Sequence, residues 1–151
     1  MGFFKTFFSA FFTICLFTTP ILADFSEPAR GSEERKAMLD AVRAHAEEQL
    51  GAPVEFVVYD LRVAGAFGFA SLYAQRPGGG EIDLYDTPGF KEGTLEPDFM
   101  DGTSMQALMR RSGDTWVAVH WAIGPTDVWF AYGPFCRRYN SVINDYCSVG
   151  N

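Results

Sequence analysis

The chain has 151 residues and a formal net charge of −7, and this length suits one domain with one hydrophobic core. An acidic chain repels phosphate backbones and anionic lipid surfaces, so nucleic acid and direct membrane binding are not expected. Aromatic residues make up 16% of the sequence and are chiefly phenylalanine, which brings a large apolar area per side chain to a core.

The first 23 residues have the pattern of a cleavable secretory signal peptide. Lys5 precedes an apolar run from Phe7 to Phe17, and Pro20 interrupts the chain before the small residue Ala23. The alternative is a membrane anchor, but this run is shorter than the roughly 20 apolar residues that a spanning helix needs. We therefore expect export to the periplasm or the medium, with a mature chain that starts at Asp24 and is one unit more negative.

Two cysteines remain after cleavage, since Cys15 leaves with the signal peptide. An even pair in an exported chain favours a disulfide between Cys136 and Cys147, and closing that loop would add about 3 kcal/mol to stability. A metal site and free thiols are the alternatives. Zinc would need two further ligands, for which only His45 and His120 are available among the histidines.

The first predicted element of the mature chain is an amphipathic helix. Residues 24–31 form a polar lead that is expected to be loose, and Ser32 then stands at an N-cap position before two acids. Gly51 ends the helix and Pro53 prevents its continuation. Apolar residues at helical spacing form its buried stripe: Leu39, Val42, Ala46 and Leu50.

Two strands joined by a tight turn are predicted next, at Val54–Val63 and Phe67–Ala74. The alternation of the first strand slips at Tyr59 and Asp60, which indicates a bulge. One face of the second strand is expected to let the helix approach closely, because it carries small residues: Gly68, Ala70 and Ala74.

The 76–101 loop is rich in glycine and proline, with a short strand expected at Ile82–Tyr85. Loops of this length are usually functional or disordered. Its glycines are not followed by the Lys-Ser or Lys-Thr of a phosphate loop, and its acids miss the spacing of an EF-hand. The loop is therefore predicted to be the most variable surface.

A second hairpin follows, with strands at Ser104–Arg111 and Thr115–Ile123 around a Ser-Gly-Asp turn. Strict alternation along the last strand would put Trp116, Ala118 and His120 on one face. Both faces are largely apolar, so this strand is expected to be central and covered on both sides.

These elements predict an α+β fold in which one N-terminal amphipathic helix packs on an antiparallel sheet of about four strands. Cystatin-like and NTF2-like domains share this order of elements, as a fold-level analogy. The expected organisation is a signal peptide (1–23), a loose lead (24–31), an α+β domain (32–131) and a disulfide-containing tail (132–151).

Several segments resemble a group of small exported bacterial proteins that has no established biochemical function. They include Glu33–Ala37, Pro53–Val58, Gln75–Gly79 and Ile123–Val128, and the resemblance extends from Glu33 to Trp129. It implies export and an α+β core but supplies no mechanism. The tail that contains the two cysteines departs from the group.

The candidate pocket residues are Tyr59, Asp60, His120, Trp121 and Asp127. His120 has tryptophan neighbours and an acid nearby, so it could act as a general base; a satisfied, partly buried histidine is the simpler interpretation. A bulge can aim a carboxylate such as Asp60 into a site, although that carboxylate could equally satisfy the bulged backbone. Asp127 could merely cap a turn, and His45 is expected to be a solvated helix residue.

No motif identifies a nucleophile or a catalytic set, and no cofactor or metal is expected. The favoured hypothesis is a non-catalytic exported domain that binds a protein partner through its loops or a sheet face. The alternative is a small-ligand pocket or an enzyme of NTF2-like type in the sheet concavity. It requires a cavity of at least about 300 Å3 between helix and sheet.

Overall fold

The computed structural model describes residues 1–2 and 25–147. The predicted signal peptide lies outside the described residues except for Met1 and Gly2, and so do the last four residues of the predicted tail. The described chain is α+β, as expected. Its helices are α1 (Glu33–Leu50), α2 (Pro88–Glu92), α3 (Gly133–Arg138) and α4 (Asn140–Cys147), and its strands are β1 (Glu55–Ala64), β2 (Phe67–Gln75), β3 (Ser104–Ser112) and β4 (Thr115–Ile123).

The four strands form one antiparallel sheet in the order β1-β2-β3-β4. Two sequential hairpins produce this order, with a sharp glycine turn in each. β1 and β4 are therefore the two edge strands. The prediction that β4 is central is wrong. Its two faces are apolar because α1 packs on one of them and the C-terminal helices pack on the other, which requires no neighbouring strand on both sides.

Helix α1 is held at both ends by side chains. Ser32 Oγ accepts a hydrogen bond from the backbone N–H of Arg35 at 3.1 Å, which satisfies a donor at the helix start. At the other end, the guanidinium of Arg76 donates to the carbonyl oxygens of Leu50, Gly51 and Pro53. The beginning of the 76–101 loop therefore stabilises the end of the helix.

The first hydrophobic core lies between α1 and the sheet. The fully buried stripe of α1 contains Met38 in place of the predicted Leu39, which is only partly buried: Met38, Val42, Ala46 and Leu50. A Cβ at Gly68 of β2 would lie 2.8 Å from Met38 Cε. The small-residue face of β2 thus meets the helix as predicted.

A second core covers the opposite face of the sheet. The chain after β4 supplies it through a 3-10 turn at Trp129–Ala131, followed by α3 and α4 in the predicted tail. Buried residues of the sheet and of this helical layer form one cluster: Phe69, Leu108, Phe130, Tyr139, Val142 and Ile143. Cys136 and Cys147 are joined by a disulfide, with Cα atoms 5.8 Å apart, which confirms the predicted bridge and links the two helices.

Two bulges set the orientation of side chains. The register of β1 shifts between Val58 and Asp60, which confirms the predicted bulge. An unpredicted bulge lies in β4, where His120 pairs with Leu108 but Ala118 pairs with Met109. Because this bulge reverses the alternation, Trp116 and Ala118 face α1 while His120 faces the helical layer. The prediction that these three residues share a face is wrong.

Both segments expected to be irregular are ordered. In the lead, Ser26 forms an antiparallel bridge with Val63, and the Phe25 ring lies 4.1 Å from the Arg62 guanidinium carbon. In the 76–101 loop, the expected strand at Ile82–Tyr85 is absent, because Asp83 caps a 3-10 turn at Leu84–Asp86. No helix of the described chain has the length and apolar character needed to cross a bilayer.

Candidate functional site

The structure does not bring the five predicted pocket residues together. Asp60 lies in the edge strand β1, and two strands separate it from His120 in β4. His120 faces the helical layer, with its ring 4.7 Å from that of Phe135. Trp121 points to the other face of the sheet and stacks on His45 at 4.8 Å. The geometry therefore matches a packed histidine at position 120 better than a general base in a pocket.

The remaining two predicted pocket residues are exposed. Tyr59 is the bulged residue of β1, and its side chain is largely in solvent. Asp127 lies in the exposed turn before the 3-10 turn at Trp129–Ala131, which has no side-chain N-cap. The stack on Trp121 also corrects the expectation for His45, whose side chain is half-buried against an aromatic ring and not fully solvated.

The space between α1 and the sheet is filled by side chains. The four stripe residues of α1 have no exposed surface, and the residues that face them across the sheet are buried in the same cluster: Ala70, Leu72, Met105, Ala107 and Met109. This packing resembles a protein interior. It gives no support to the alternative of a ligand pocket in the sheet concavity.

Asp60 belongs to an ion cluster centred on the buried Arg62. The Arg62 guanidinium lies 2.7 Å from Asp60 Oδ2 and donates to both carboxylate oxygens of Asp145 at 2.6 and 2.9 Å. It also donates to the carbonyl oxygen of Val142 at 3.0 Å. These contacts tie β1 to α4. The bulge thus directs the Asp60 carboxylate toward Arg62. Through Arg62, this carboxylate stabilises the packing of α4 on the sheet.

The electrostatics of this cluster follow from its contacts. Burial works against the charge of Arg62, but the hydrogen bonds that Arg62 donates to the carboxylates of Asp145 and Asp60 outweigh this effect and raise the arginine pKa. The same hydrogen bond from Arg62 lowers the pKa of Asp145. Burial, together with donation to Asp60 at 3.0 Å, raises the pKa of Tyr146 to about 12. Arg62, Asp145 and Tyr146 therefore keep one charge state across the neutral range.

We expect the variant Asp145→Asn to lose about 1 kcal/mol of stability at pH 7, a small value because the Asp145 side chain is half exposed to solvent. A folded-state pKa below the unfolded value gives stability that is complete above the unfolded pKa and is lost as the pH falls. The difference from wild type should therefore vanish near pH 2. Urea unfolding from pH 7 to pH 2 measures it, with Asp127→Asn as the control that changes nothing.

A different surface combines exposed aromatic rings with carboxylates. We call it the aromatic–acidic patch; it comprises Tyr85, Phe90, Phe99, Asp83, Asp86, Glu96 and Asp98. The three aromatic side chains are 53%, 40% and 76% exposed, respectively. The Tyr85 and Phe90 rings meet edge to face at 5.3 Å. Tyr85 Oη donates to Asp98 Oδ1 at 2.6 Å, and this hydrogen bond raises the pKa of Tyr85.

The patch includes a surface cleft of about 270 Å3. Two rings, two carboxylates and apolar side chains line it: Phe90, Leu95, Glu96, Pro97, Asp98 and Phe99, with Gly93 at its edge. The 76–101 loop contains seven acidic residues and two basic ones, and one of the two, Lys91, is paired with Asp86 at 2.7 Å. The cleft is therefore apolar at its walls and negative at its rim.

The patch rests on a frame attached to α1. Thr87 is buried, donates to the carbonyl oxygen of Leu84 at 2.7 Å and caps α2 by accepting from the Phe90 N–H. A Cβ at Gly89 would lie 2.7 Å from Leu95 Cγ and 2.8 Å from Gln49 Oε1 of α1, so only glycine lets α2 sit this close. The rings are thus presented by an ordered platform.

An arrangement of rings and carboxylates suits an organic cation. The face of an aromatic ring attracts ammonium and guanidinium groups, and carboxylates at the rim add charge-assisted hydrogen bonds. Among the described residues, no three histidine, cysteine or acidic side chains are grouped closely enough to hold a metal ion. The sequence pattern predicts only a variable surface for this loop. A usable signal is the presence of Tyr85, Phe90 and Phe99 in a segment rich in acids, glycine and proline.

No protein-family model matches the chain, and no match was found among curated proteins or solved structures.

Proposed function

We propose that this protein is an exported, non-catalytic binding domain whose partner inserts a lysine or arginine side chain into the cleft of the aromatic–acidic patch. The observation that carries the proposal is the exposure of Tyr85, Phe90 and Phe99 on an ordered frame, surrounded by carboxylates. Exposed apolar clusters with a polar rim are typical of interaction surfaces.

Charge favours a cationic protein segment as the partner. The whole chain is acidic, with a net charge of −7, so a basic partner is attracted over a distance and an acidic one is repelled. An arginine or lysine can lay its aliphatic stem along Leu95 and Pro97 while its charged end reaches the carboxylates. A volume of about 270 Å3 accommodates one such side chain.

Export is the second part of the proposal. The disulfide is compatible with an oxidising compartment such as the periplasm or the extracellular space. The pattern of a signal peptide in residues 1–23 and the resemblance to small exported bacterial proteins also support it. We further propose a cystatin-like or NTF2-like core, because one helix followed by four hairpin-linked strands is the order of those domains. The helical layer on the other face would be an elaboration of that core.

The test is an NMR titration of protein purified after export with a tetrapeptide of arginine and glycine, and with a glutamate and glycine tetrapeptide as the acidic counterpart. Shifts should appear at residues 85–99 with the basic peptide only and should shrink as salt is added. The variant Phe99→Ala removes one ring and should weaken binding by about 3-fold or more.

Tyr132→Ala is the matched control, because Tyr132 is also highly exposed, at 65%, but lies outside the patch. It should bind the basic peptide as the wild type does. Shifts spread over the whole acidic surface, or equal weakening by the two variants, would show that the patch is not the binding site.

A further inference from the structure

A cleft along one side of α1 contains all the arginine and lysine side chains of that helix. Its volume is about 350 Å3, which is within the usual range of small-ligand sites. We call it the α1 cleft. Five helix residues line it beside the turn that precedes the helix: Arg35, Lys36, Leu39, Asp40 and Arg43. Three cations and one carboxylate make the cleft locally positive, although the whole chain has a net charge of −7.

Two arginines of the α1 cleft are held in place by backbone carbonyl groups. Arg35 Nη1 donates to the carbonyl oxygen of Pro28 at 3.0 Å, and the Arg35 side chain is only 12% exposed. Arg43 Nε donates to the carbonyl oxygen of Val54 at 3.1 Å, and its guanidinium carbon lies 5.6 Å from the centre of the Phe56 ring. Side chains that are already fixed lose less conformational entropy when a ligand binds.

The cations of the cleft are only partly neutralised by the protein. Asp40 is the one carboxylate in the lining, and it pairs with both Lys36, at 2.6 Å, and Arg43. Arg35 pairs with Glu27, whose side chain is largely exposed, and exposed pairs contribute little energy. Within the described part of the chain, Nη2 of Arg35 and Nη2 of Arg43 donate no hydrogen bond. Both guanidinium groups therefore have donors left for a ligand.

The spacing of the lining residues indicates the shape of the ligand. Arg35, Leu39 and Arg43 follow one another at intervals of four residues, so they share one face of the helix. The two arginine positions are about 12 Å apart along the helix axis, with Leu39 midway. Leu39 is apolar and partly buried. A matching ligand therefore has a negative group at each end and an apolar middle.

We propose that the α1 cleft binds an elongated organic dianion, in which an apolar chain joins two carboxylates. Each carboxylate accepts hydrogen bonds from one arginine, Arg35 or Arg43, in a pairing that is often bidentate. The apolar chain covers Leu39, and Lys36 adds a third positive charge. A dianion binds better than a monoanion because a monoanion reaches only one of the two arginines. This site is separate from the aromatic–acidic patch, whose proposed ligand is a cation.

An NMR titration of the exported protein with octanedioate, at constant ionic strength, tests this proposal. Amide resonances of residues 31–43 should shift, with a Kd of about 1 mM or lower. Octanoate has the same chain length but one carboxylate, and it should bind at least about 10-fold more weakly. Butanedioate should also bind more weakly, because it is too short to reach both arginines. Equal binding of octanoate and octanedioate would overturn the proposal.

The variant Lys36→Gln should weaken the binding of octanedioate by about 3-fold or more. Lys36 is 71% exposed and should be replaceable without loss of the fold. Lys91→Gln is the matched control, since Lys91 is 62% exposed and also paired with a carboxylate but lies outside the cleft. It should bind octanedioate as the wild type does. Equal weakening by the two variants, or no shift at residues 31–43 up to about 20 mM octanedioate, would overturn the proposal.

Discussion

Replacing Phe69 by alanine should lower the free energy of unfolding by about 3–5 kcal/mol, the range for a fully buried phenylalanine. Phe69 has no exposed surface and lies at the centre of the second core, with its ring 4.8 Å from that of Phe130 and 5.5 Å from that of Tyr146. Its removal leaves a cavity between the sheet and the helical layer. Urea unfolding followed by tryptophan fluorescence measures the loss.

Phe99→Ala is the matched control for this experiment. Phe99 is the most exposed of the three aromatic residues of the aromatic–acidic patch, so its removal should change stability by no more than about 0.5 kcal/mol. A loss below about 1 kcal/mol for Phe69→Ala would contradict the packing of the helical layer on the sheet. The same two variants can be used in the titration with the basic peptide. There Phe99→Ala should weaken binding more than Phe69→Ala does.

Removing the disulfide should have the second large effect. The double variant Cys136→Ser, Cys147→Ser frees a loop with a sequence separation of 11 residues, and the chain-entropy estimate for such a loop is about 3 kcal/mol. The bridge joins α3 to the last residue of α4, so the loss should fall on α3 and α4 first. Hydrogen exchange of their backbone amides should accelerate more than that of α1.

Reduction of the wild type provides an independent check. With dithiothreitol present, the wild type should unfold at the urea concentration of the double variant, and the reductant should not change the double variant. If the variant were as stable as the oxidised wild type, the helical layer would be held by its buried side chains alone, chiefly Tyr139, Val142 and Ile143.

The bulge of β1 is a feature that the sequence alone predicts. The slip of alternation at Tyr59 and Asp60 is a local feature of the sequence, and the register of the hairpin shows it directly. The bulge of β4 left no such mark, because residues on both sides of Val119 are apolar and a slip among apolar residues changes no pattern. The β4 bulge decides that His120 faces the helical layer and Trp121 faces α1. The predicted pocket does not assemble because consecutive strand residues lie on opposite faces and because Asp60 lies in the other edge strand.

The aromatic–acidic patch was beyond sequence reasoning for a different reason. Tyr85, Phe90 and Phe99 occur in a segment with no long periodic element, and their spacing gives no hint that they share a surface. Contacts that are distant in sequence bring them together, such as Thr94 Oγ1 donating to Gln49 Oε1 of α1 at 2.7 Å. The exposure of these three rings also depends on the tertiary structure, because aromatic residues in such a segment could equally be buried in a hydrophobic core.

Features that depend on neighbours along the chain could be predicted from the sequence alone. These are the strands and their hairpin turns, the bulge at Tyr59 and the pairing of Cys136 with Cys147, since alternation, turn residues and cysteine number are local or compositional signals. Three other features depend on tertiary contacts: β4 is an edge strand, the tail helices form a second layer over Phe69, and three aromatic rings lie exposed among carboxylates. These features depend on which apolar surfaces of distant segments pack together, and the pattern of a single segment does not predict that packing.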